Sequence, residues 1–524
     1  MPRSAFRLSP PILTAWSTFC HNLFRPVDAA FLAYFRIAFG GIMVWETWRI
    51  IQNDWVGTYF SGREFYFTYW PFDFVQPWPG DGMYIHLASM GMFATFIALG
   101  FFYRFSAAIF FLMVTYLFLL EQARYLNHLY LVCLLSFIMI FLPAHHCFSL
   151  DALLRPKISS PHVPAWSLWL LRFQVAVPMF FGGLAKLNSD WLRGEPLRAW
   201  LAVRTDFPLL GPSFTNEAGV WAMIYGALVI DLFFVFYMLN RRTRVFGFLL
   251  VLLFHFMNAR LFGIGIFPWL MIASTLVFFG PDWPRRLWHD IRSLHRYRLP
   301  ALIVGFTTGC AVGVLLPGSF DLVRALIGGI GVAVAAYHLD EPFGRPEAAA
   351  ERPVSGEEFK ARPDFALLQK GALALLGLWV AFQVMVPLRH FAIPGKVHWT
   401  EEGHNFSWHM KLRDKVSGGF FLVTDVATGE EWEVDPREHL SSIQASKMAS
   451  RPEMILQFAR YLEERARRDG YQDIEVRANI VSSLNGRPPQ RLVDPAVDLT
   501  QVRRPWIGHA PWILPLEEPL HVSN

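Results

Sequence analysis

The 524-residue sequence predicts an all-α polytopic membrane bundle of about eleven spans, followed by a small C-terminal α+β domain outside the membrane. Three observations predict it. Apolar residues make up 54% of the chain and charged residues only 17%, against about a quarter charged in a soluble globule. Apolar runs close to the spanning length of roughly 20 residues recur from residue 29 to residue 388. Beyond residue 389 the pattern changes to alternating and amphipathic stretches. The net charge of +5 is small for this size and is spread through short loops, which excludes a nucleic-acid partner and points to membrane lipids.

The runs place helices at 29–50, 84–103, 105–121, 125–143, 166–187, 219–240, 243–259, 262–279, 300–316, 321–338 and 366–388. Lipid offers the backbone no hydrogen-bond partners, so each must be helical. Arg3, Arg7 and Arg25 precede the first run, Arg104 follows the second, and Arg241, Arg242 and Arg244 follow the sixth. Arg285, Arg286, Arg292, Arg296 and Arg298 follow the eighth. These four segments fall on one side, and positive loops stay inside. Loop 51–83, with Asp54, Glu64, Asp73 and Asp81 against Arg63, falls on the other side. The sequence therefore predicts an inner-membrane protein with a cytoplasmic N-terminus. Residues 1–28 form a cytoplasmic arm without a cleavable signal peptide, and 340–365 form a charged inner linker. An odd span count puts 389–524 outside.

In that outer segment, 420–424 and 431–434 flank Ala427-Thr428-Gly429 as a hairpin. Met454, Ile455, Phe458, Tyr461 and Leu462 fall on one face of a helix near 451–468, with Arg460, Glu463 and Arg467 on the other. Residues 475–493 read as a strand pair around Asn485-Gly486. Cys20, Cys133, Cys147 and Cys310 lack CxxC spacing and read as unpaired, with no thiolate metal site. His145-His146 lacks the spacing of a zinc motif, and there is no Walker, Rossmann or nucleophile-elbow motif. No metal is expected.

Polar groups inside spans are costly and therefore informative. Lys186 closes an apolar helix at its outer end. Either it snorkels to the headgroups, or it is desolvated, which favours the neutral amine and suits a general base. Asn127 and His128 open the fourth run. His255 and Asn258 lie one turn apart and could face one cavity. Asp231 and Arg36, well inside their runs, could neutralise each other or other partners. Lys186, Asn127 and His128 are expected to line a common apolar void near the outer leaflet.

Several short motifs stand in order along the chain. They are Arg25-Pro26 with Asp28 and Phe35-Arg36; Asn127-His128 with Tyr130-Leu131; and Gly183-Leu184-Ala185-Lys186-Leu187 with Asp190-Trp191. Phe254-His255 with Met257-Asn258 and Pro281 with Trp283-Pro284-Arg285 follow. The outer domain adds Trp399-Thr400, Ser407-Trp408, Asn485 with Arg487, Gln490-Arg491 and Asp494-Pro495. In this order and spacing they resemble the vitamin K-dependent gamma-carboxylase family, whose membrane part is the HTTM domain. The resemblance implies a catalytic HTTM-like bundle at 29–279, additional spans and linker at 280–388, and an outer domain at 389–524. It implies that a reduced vitamin K or menaquinol-type naphthoquinol is deprotonated and oxygenated, and leaves as its epoxide. The strong base formed on the way lets a glutamyl γ-carbon take up carbon dioxide. A dry site protects such species from water.

By this resemblance Lys186 deprotonates the quinol, His128 supports oxygenation, Asn127 hydrogen-bonds the quinol, and His255 and Asn258 line its pocket. Trp399, His404, Trp408, Arg487 and Arg491 become candidates for binding a glutamate-containing peptide or protein. Gly403-His404 replaces a Leu-Tyr pair of the family's glutamate-site segment. Two alternatives stay open: quinol epoxidation without carboxylation, and a non-enzymatic quinone or lipid carrier on the same scaffold.

Overall fold

The computed structural model describes residues 10–207, 210–293, 298–315, 322–338, 363–503 and 508–520. The predicted linker at 340–365 lies almost wholly outside the described residues. Every predicted run contains a helix, but the expectation of about eleven spans is corrected. Five helices are long and apolar enough to cross a membrane: Gly82–Leu99, Ala165–Ala185, Glu217–Leu239, Arg244–Phe262 and Gln369–Ala392. The others fall short for physical reasons. Ala30–Gln52 carries Arg36, Glu46 and Arg49 along its length. Asn127–Phe141 has 15 residues, about 22 Å at 1.5 Å per residue, below the roughly 30 Å hydrocarbon core. Phe267–Thr275 breaks into a 3-10 turn at Leu276–Phe278. A further helix, Pro10–Phe24, lies within the N-terminal arm at 1–28.

These helices form one bundle with a continuous apolar core. Gly183 permits a close crossing of Ala165–Ala185 on Glu217–Leu239: a Cβ there would lie 2.8 Å from the backbone nitrogen of Leu232. The bundle has two chemically distinct ends. At one, Asp28 pairs with Arg285 at 2.9 Å, Asp151 accepts the Phe102 and Tyr103 amides, and Pro26–Asp28 pairs antiparallel with His162–Pro164. Arg36 belongs to this end. It donates to the carbonyls of Ala144 (3.1 Å) and Phe148 (2.5 Å), so it does not neutralise Asp231.

The C-terminal domain sits on the other end. Its four-stranded antiparallel sheet runs in the spatial order Glu431–Val434, Lys415–Asp425, Ile474–Leu484, Gln490–Arg491. Both predicted hairpins are present, with Thr424 opposite Glu431 and Ser482 opposite Gln490. Residues of Ile474–Leu484 alternate between buried and half-buried, the period of a strand with one covered face. Helices Ser442–Ser450 and Pro452–Arg468 cover that face; the predicted residues Met454, Ile455, Phe458, Tyr461 and Leu462 are all buried. Ser441 and Gln444 start the first of these helices with a capping box. The domain grips loops 51–83 and 120–126 of the bundle. Gln444 donates to Glu121 (2.8 Å), Arg451 to the Gln122 carbonyl (3.1 Å), and Gln457 accepts from the Thr68 amide (3.0 Å). Loop 51–83 and the C-terminal domain thus share one end, as the charge pattern predicts. All four cysteines are free.

Candidate active site

Helix Ala165–Ala185 ends at Lys186, whose amide bonds back to Gly183. Asn188 fixes the following turn, its side-chain oxygen accepting from the amides of Asp190 and Trp191. The turn swings the Trp191 ring to 5.4 Å from the Lys186 ammonium. Lys186 is 5% exposed. Its Nζ donates to Asp231 Oδ2 at 2.5 Å and to the Gly182 carbonyl at 3.3 Å. Asp231 is 1% exposed, and its Oδ1 has no hydrogen-bond partner. The close crossing at Gly183 brings the two helices near enough for this pair. Lys186 is therefore not a snorkelling residue; it is buried and ion-paired.

A segment of the C-terminal domain lies over this pair. A Cβ on Gly182 would touch Met410 at 3.1 Å and the Trp408 carbonyl at 3.8 Å. The same segment meets Asn127, whose side-chain nitrogen donates to the His409 carbonyl (3.2 Å) while its oxygen accepts from Tyr125 (2.9 Å). The Tyr125 hydroxyl in turn accepts from the Phe406 amide (2.6 Å). Phe406 packs on Tyr125 and Tyr130, and Trp408 on Tyr130. Glu401, Phe406, Trp408 and Lys411 all have φ between 51° and 63°. Left-handed conformations cost non-glycine residues on the order of 1–3 kcal/mol each, so the contacts around this cover hold it in a strained shape.

His128 faces a cavity of about 40 Å³, lined by Glu121, Arg124, Leu129 and Val132 among others, with room for molecules of water size. Lys186, Asn127, His255 and Asn258 do not line it. His128 and His255 instead share Phe267, with ring centres 6.4 and 5.8 Å from it. Both ring nitrogens of His255 are buried without a partner. Asn258 is half-buried. Lys186 and Asn127 are thus joined through the cover, and His128 and His255 through Phe267. Among the described residues no hydrogen bond or ion pair links the two sets.

Two model matches then decide the family. Residues 24–283 match the HTTM domain, and residues 368–519 match the lumenal domain of vitamin K-dependent gamma-carboxylase. The chain belongs to the vitamin K-dependent gamma-carboxylase family. It is an integral membrane protein with a lumenal-type, extracytoplasmic C-terminal region. No solved structure matches it.

The candidate glutamate-site residues of this gamma-carboxylase family member divide. Arg487 is 3% exposed and forms a two-point ion pair with Asp190, both contacts at 2.7 Å. Asn485 adds a third bond to Asp190 at 2.8 Å. Arg487 therefore docks the domain and is not free for a substrate carboxylate. Arg491 is exposed on the short edge strand. Trp399 is buried, with its indole donating to the Leu514 carbonyl (2.7 Å), and Trp408 is fully buried. His404 stacks on His409 at 5.0 Å, and His398 Nε2 lies 3.0 Å from His409 Nδ1, with His390 against the same ring. Burial pushes His398 down to about 3 and holds His404 and His409 well below the ordinary imidazole value, so these rings are neutral.

Sequence reasoning missed this cluster because its members converge through loop folding. It also missed Lys415, which donates to the carbonyls of Trp399 (2.5 Å) and Ser450 (2.7 Å). Burial lowers Lys415 to about 7 despite Glu401 nearby. Among the described residues no group of three or more His, Cys, Asp or Glu side chains is arranged to hold a metal ion.

Proposed function

We propose that this chain is a membrane enzyme that couples oxygen-dependent epoxidation of a reduced naphthoquinol to carboxylation of a glutamyl side chain. The quinol is a substrate, consumed at each turnover. The observation that carries the reading is Lys186, buried against Asp231 beneath a strained cover contributed by the family's lumenal domain. A quinol hydroxyl needs a proton acceptor in a dry site, and this pair supplies one. The partnerless nitrogens of His255 and the partnerless Oδ1 of Asp231 are polar groups that a bound quinol could satisfy. Burial without a partner costs each about 1–3 kcal/mol. Asn127 keeps one free N–H for the quinol after its bond to His409. His128 would support oxygenation from its small cavity, and Asn258 would line the quinol's path. Access for a naphthalene ring requires the 401–411 cover to shift.

A second reading, epoxidation without carboxylation, is favoured by one observation. Two cations of the C-terminal domain are already committed: Arg413 makes a two-point ion pair with Glu401 (2.5 and 2.6 Å), and Arg487 one with Asp190. Purified protein incubated with a reduced naphthoquinone, oxygen, labelled bicarbonate and a glutamyl peptide should yield quinone epoxide and labelled peptide. Epoxide without label would support the second reading. Binding of quinone with neither product would make the protein a carrier.

We also propose that the N-terminus is cytoplasmic, on the strength of the arginine-rich segments around the Asp28–Arg285 end. A reporter active only in the cytoplasm should be active when joined at residue 1 and silent when joined after residue 524. The opposite pattern would reverse the orientation.

A further inference from the structure

The Lys186–Asp231 geometry raises a problem for a simple lysine base. An amine must be neutral to accept a proton, yet here its ammonium lies 2.5 Å from a buried carboxylate, the arrangement that holds a proton on nitrogen. Among the described residues Lys186 is the one charged group that acts on Asp231. The remaining neighbours of the pair are neutral: the Gly182 carbonyl, the Trp191 ring, Met410 and the Trp408 carbonyl. A pair so enclosed is stable because its net charge is zero, and removing the charge of one partner alone is costly.

We propose that Asp231 is the positioning residue that takes the quinol proton through Lys186, which acts as a relay and not as the final base; this rests on the function proposed above. The quinol O–H bond breaks and an N–H bond forms at Lys186 Nζ. In the same event an Nζ–H bond breaks and an O–H bond forms on Asp231. Nothing is oxidised or reduced in this step. Before it, the charges are ammonium and carboxylate. After it, they are ammonium and quinol oxygen, with Asp231 a neutral acid. The sum is zero throughout, and the buried site never holds an uncompensated charge. Lys186 keeps its positive charge, now beside the developing anion, where it stabilises that anion. The partnerless Oδ1 of Asp231 leaves room for the acid form to rotate or to donate.

Two measurements on the full-length protein in lipid nanodiscs test this. In the first, a reduced naphthoquinone is added without oxygen, so that no turnover occurs, and the infrared difference spectrum is recorded. The wild type should gain a carboxylic-acid carbonyl band that is absent in Asp231→Asn and in Lys186→Ala. In the second, epoxide formation is followed against pH. The wild-type rate should be nearly flat around neutrality, because the acceptor is internal. Asp231→Asn should lose roughly 10²-fold at pH 7 and recover as pH rises, since its lysine must first lose a proton to bulk water. Asp231→Glu should keep the flat profile at a reduced rate. If Asp231→Asn does not fold, the wild-type band and the Asp231→Glu profile still decide.

Absence of the band in a wild type that makes epoxide would overturn the relay, as would wild-type pH dependence in Asp231→Asn. A wild type that makes no epoxide would instead remove the proposed function itself.

Discussion

Replacing Lys186 with alanine should reduce quinone epoxide formation by about 10²–10⁴-fold, the range expected for loss of a positioned proton-transfer group. The variant leaves Asp231 buried without its partner. A lone carboxylate in an apolar site takes up a proton and becomes neutral, which limits the damage to the fold. Thermal unfolding of Lys186→Ala measured beside the activity separates the two effects. Lys186→Arg should be equally inactive, because a guanidinium releases its proton far less readily than an ammonium. A small external amine should partly restore epoxidation in the alanine variant by occupying the vacated space, and the restored rate should rise with pH as more of the amine becomes neutral. His128→Ala should lower the epoxide yield less completely. Epoxide made by Lys186→Ala at the wild-type rate would remove Lys186 from the mechanism in either role, base or relay.

The prominence of Lys186 was legible in the sequence, because a charged residue within an apolar run has few inexpensive explanations. Its partner was not. Asp231 is equally visible as the lone carboxylate of the apolar run 219–240, but pairing is settled between helices, and here it depends on how closely Gly183 lets them cross. Neighbouring residues also diverge. Asn127 and His128 are adjacent in sequence, yet a helix turns about 100° per residue, so one meets the cover and the other meets Phe267.

The span count went astray for a related reason. Hydropathy detects apolar runs, whereas helix length is set by where each helix starts and stops. The run at 125–143 yields a helix only from Asn127 to Phe141, because Leu126 and Leu142 at its two ends are extended. The hairpins of the outer domain were legible because alternation and turn residues are local. Arg487 looked like a ligand-binding cation because the sequence does not show that Asp190, from the membrane part, occupies it.

That occupied cation carries the second large effect. Arg487→Met should destabilise the docked C-terminal domain by about 3–5 kcal/mol, since it leaves the Asp190 carboxylate buried with only the neutral side chains of Asn485 and Ser189 as donors. Asp190→Asn combined with Arg487→Met should recover much of the loss, because no unpaired charge remains. Thermal unfolding and the rate of protease cleavage within 395–414 report the change. The pH dependence separates this pair from the histidines. Burial pushes the Asp190 carboxyl up, but hydrogen bonds from Arg487 and Asn485 and the guanidinium charge outweigh it, so it sits below its ordinary value. A depressed carboxyl contributes stability that is fully present above its unfolded value, near 3.9, and is lost only as pH falls through the lower folded value. In Arg487→Met burial is no longer outweighed, so the variant's Asp190 carboxyl rises, and the deficit should be largest at neutral pH and diminish as the pH falls. His398, His404 and His409 are also depressed, but from an unfolded value near 6.5. Below it the unfolded chain gains protons that the buried rings do not, so their contribution is lost progressively as pH falls from about 6.5. The histidine loss is common to wild type and Arg487→Met, so the difference between them reports Asp190: it should be largest at neutral pH and narrow as the pH falls and the unpaired carboxylate takes up a proton. An offset that stays the same as the pH falls to about 4 would mean that Asp190 and Arg487 are not paired in the folded protein.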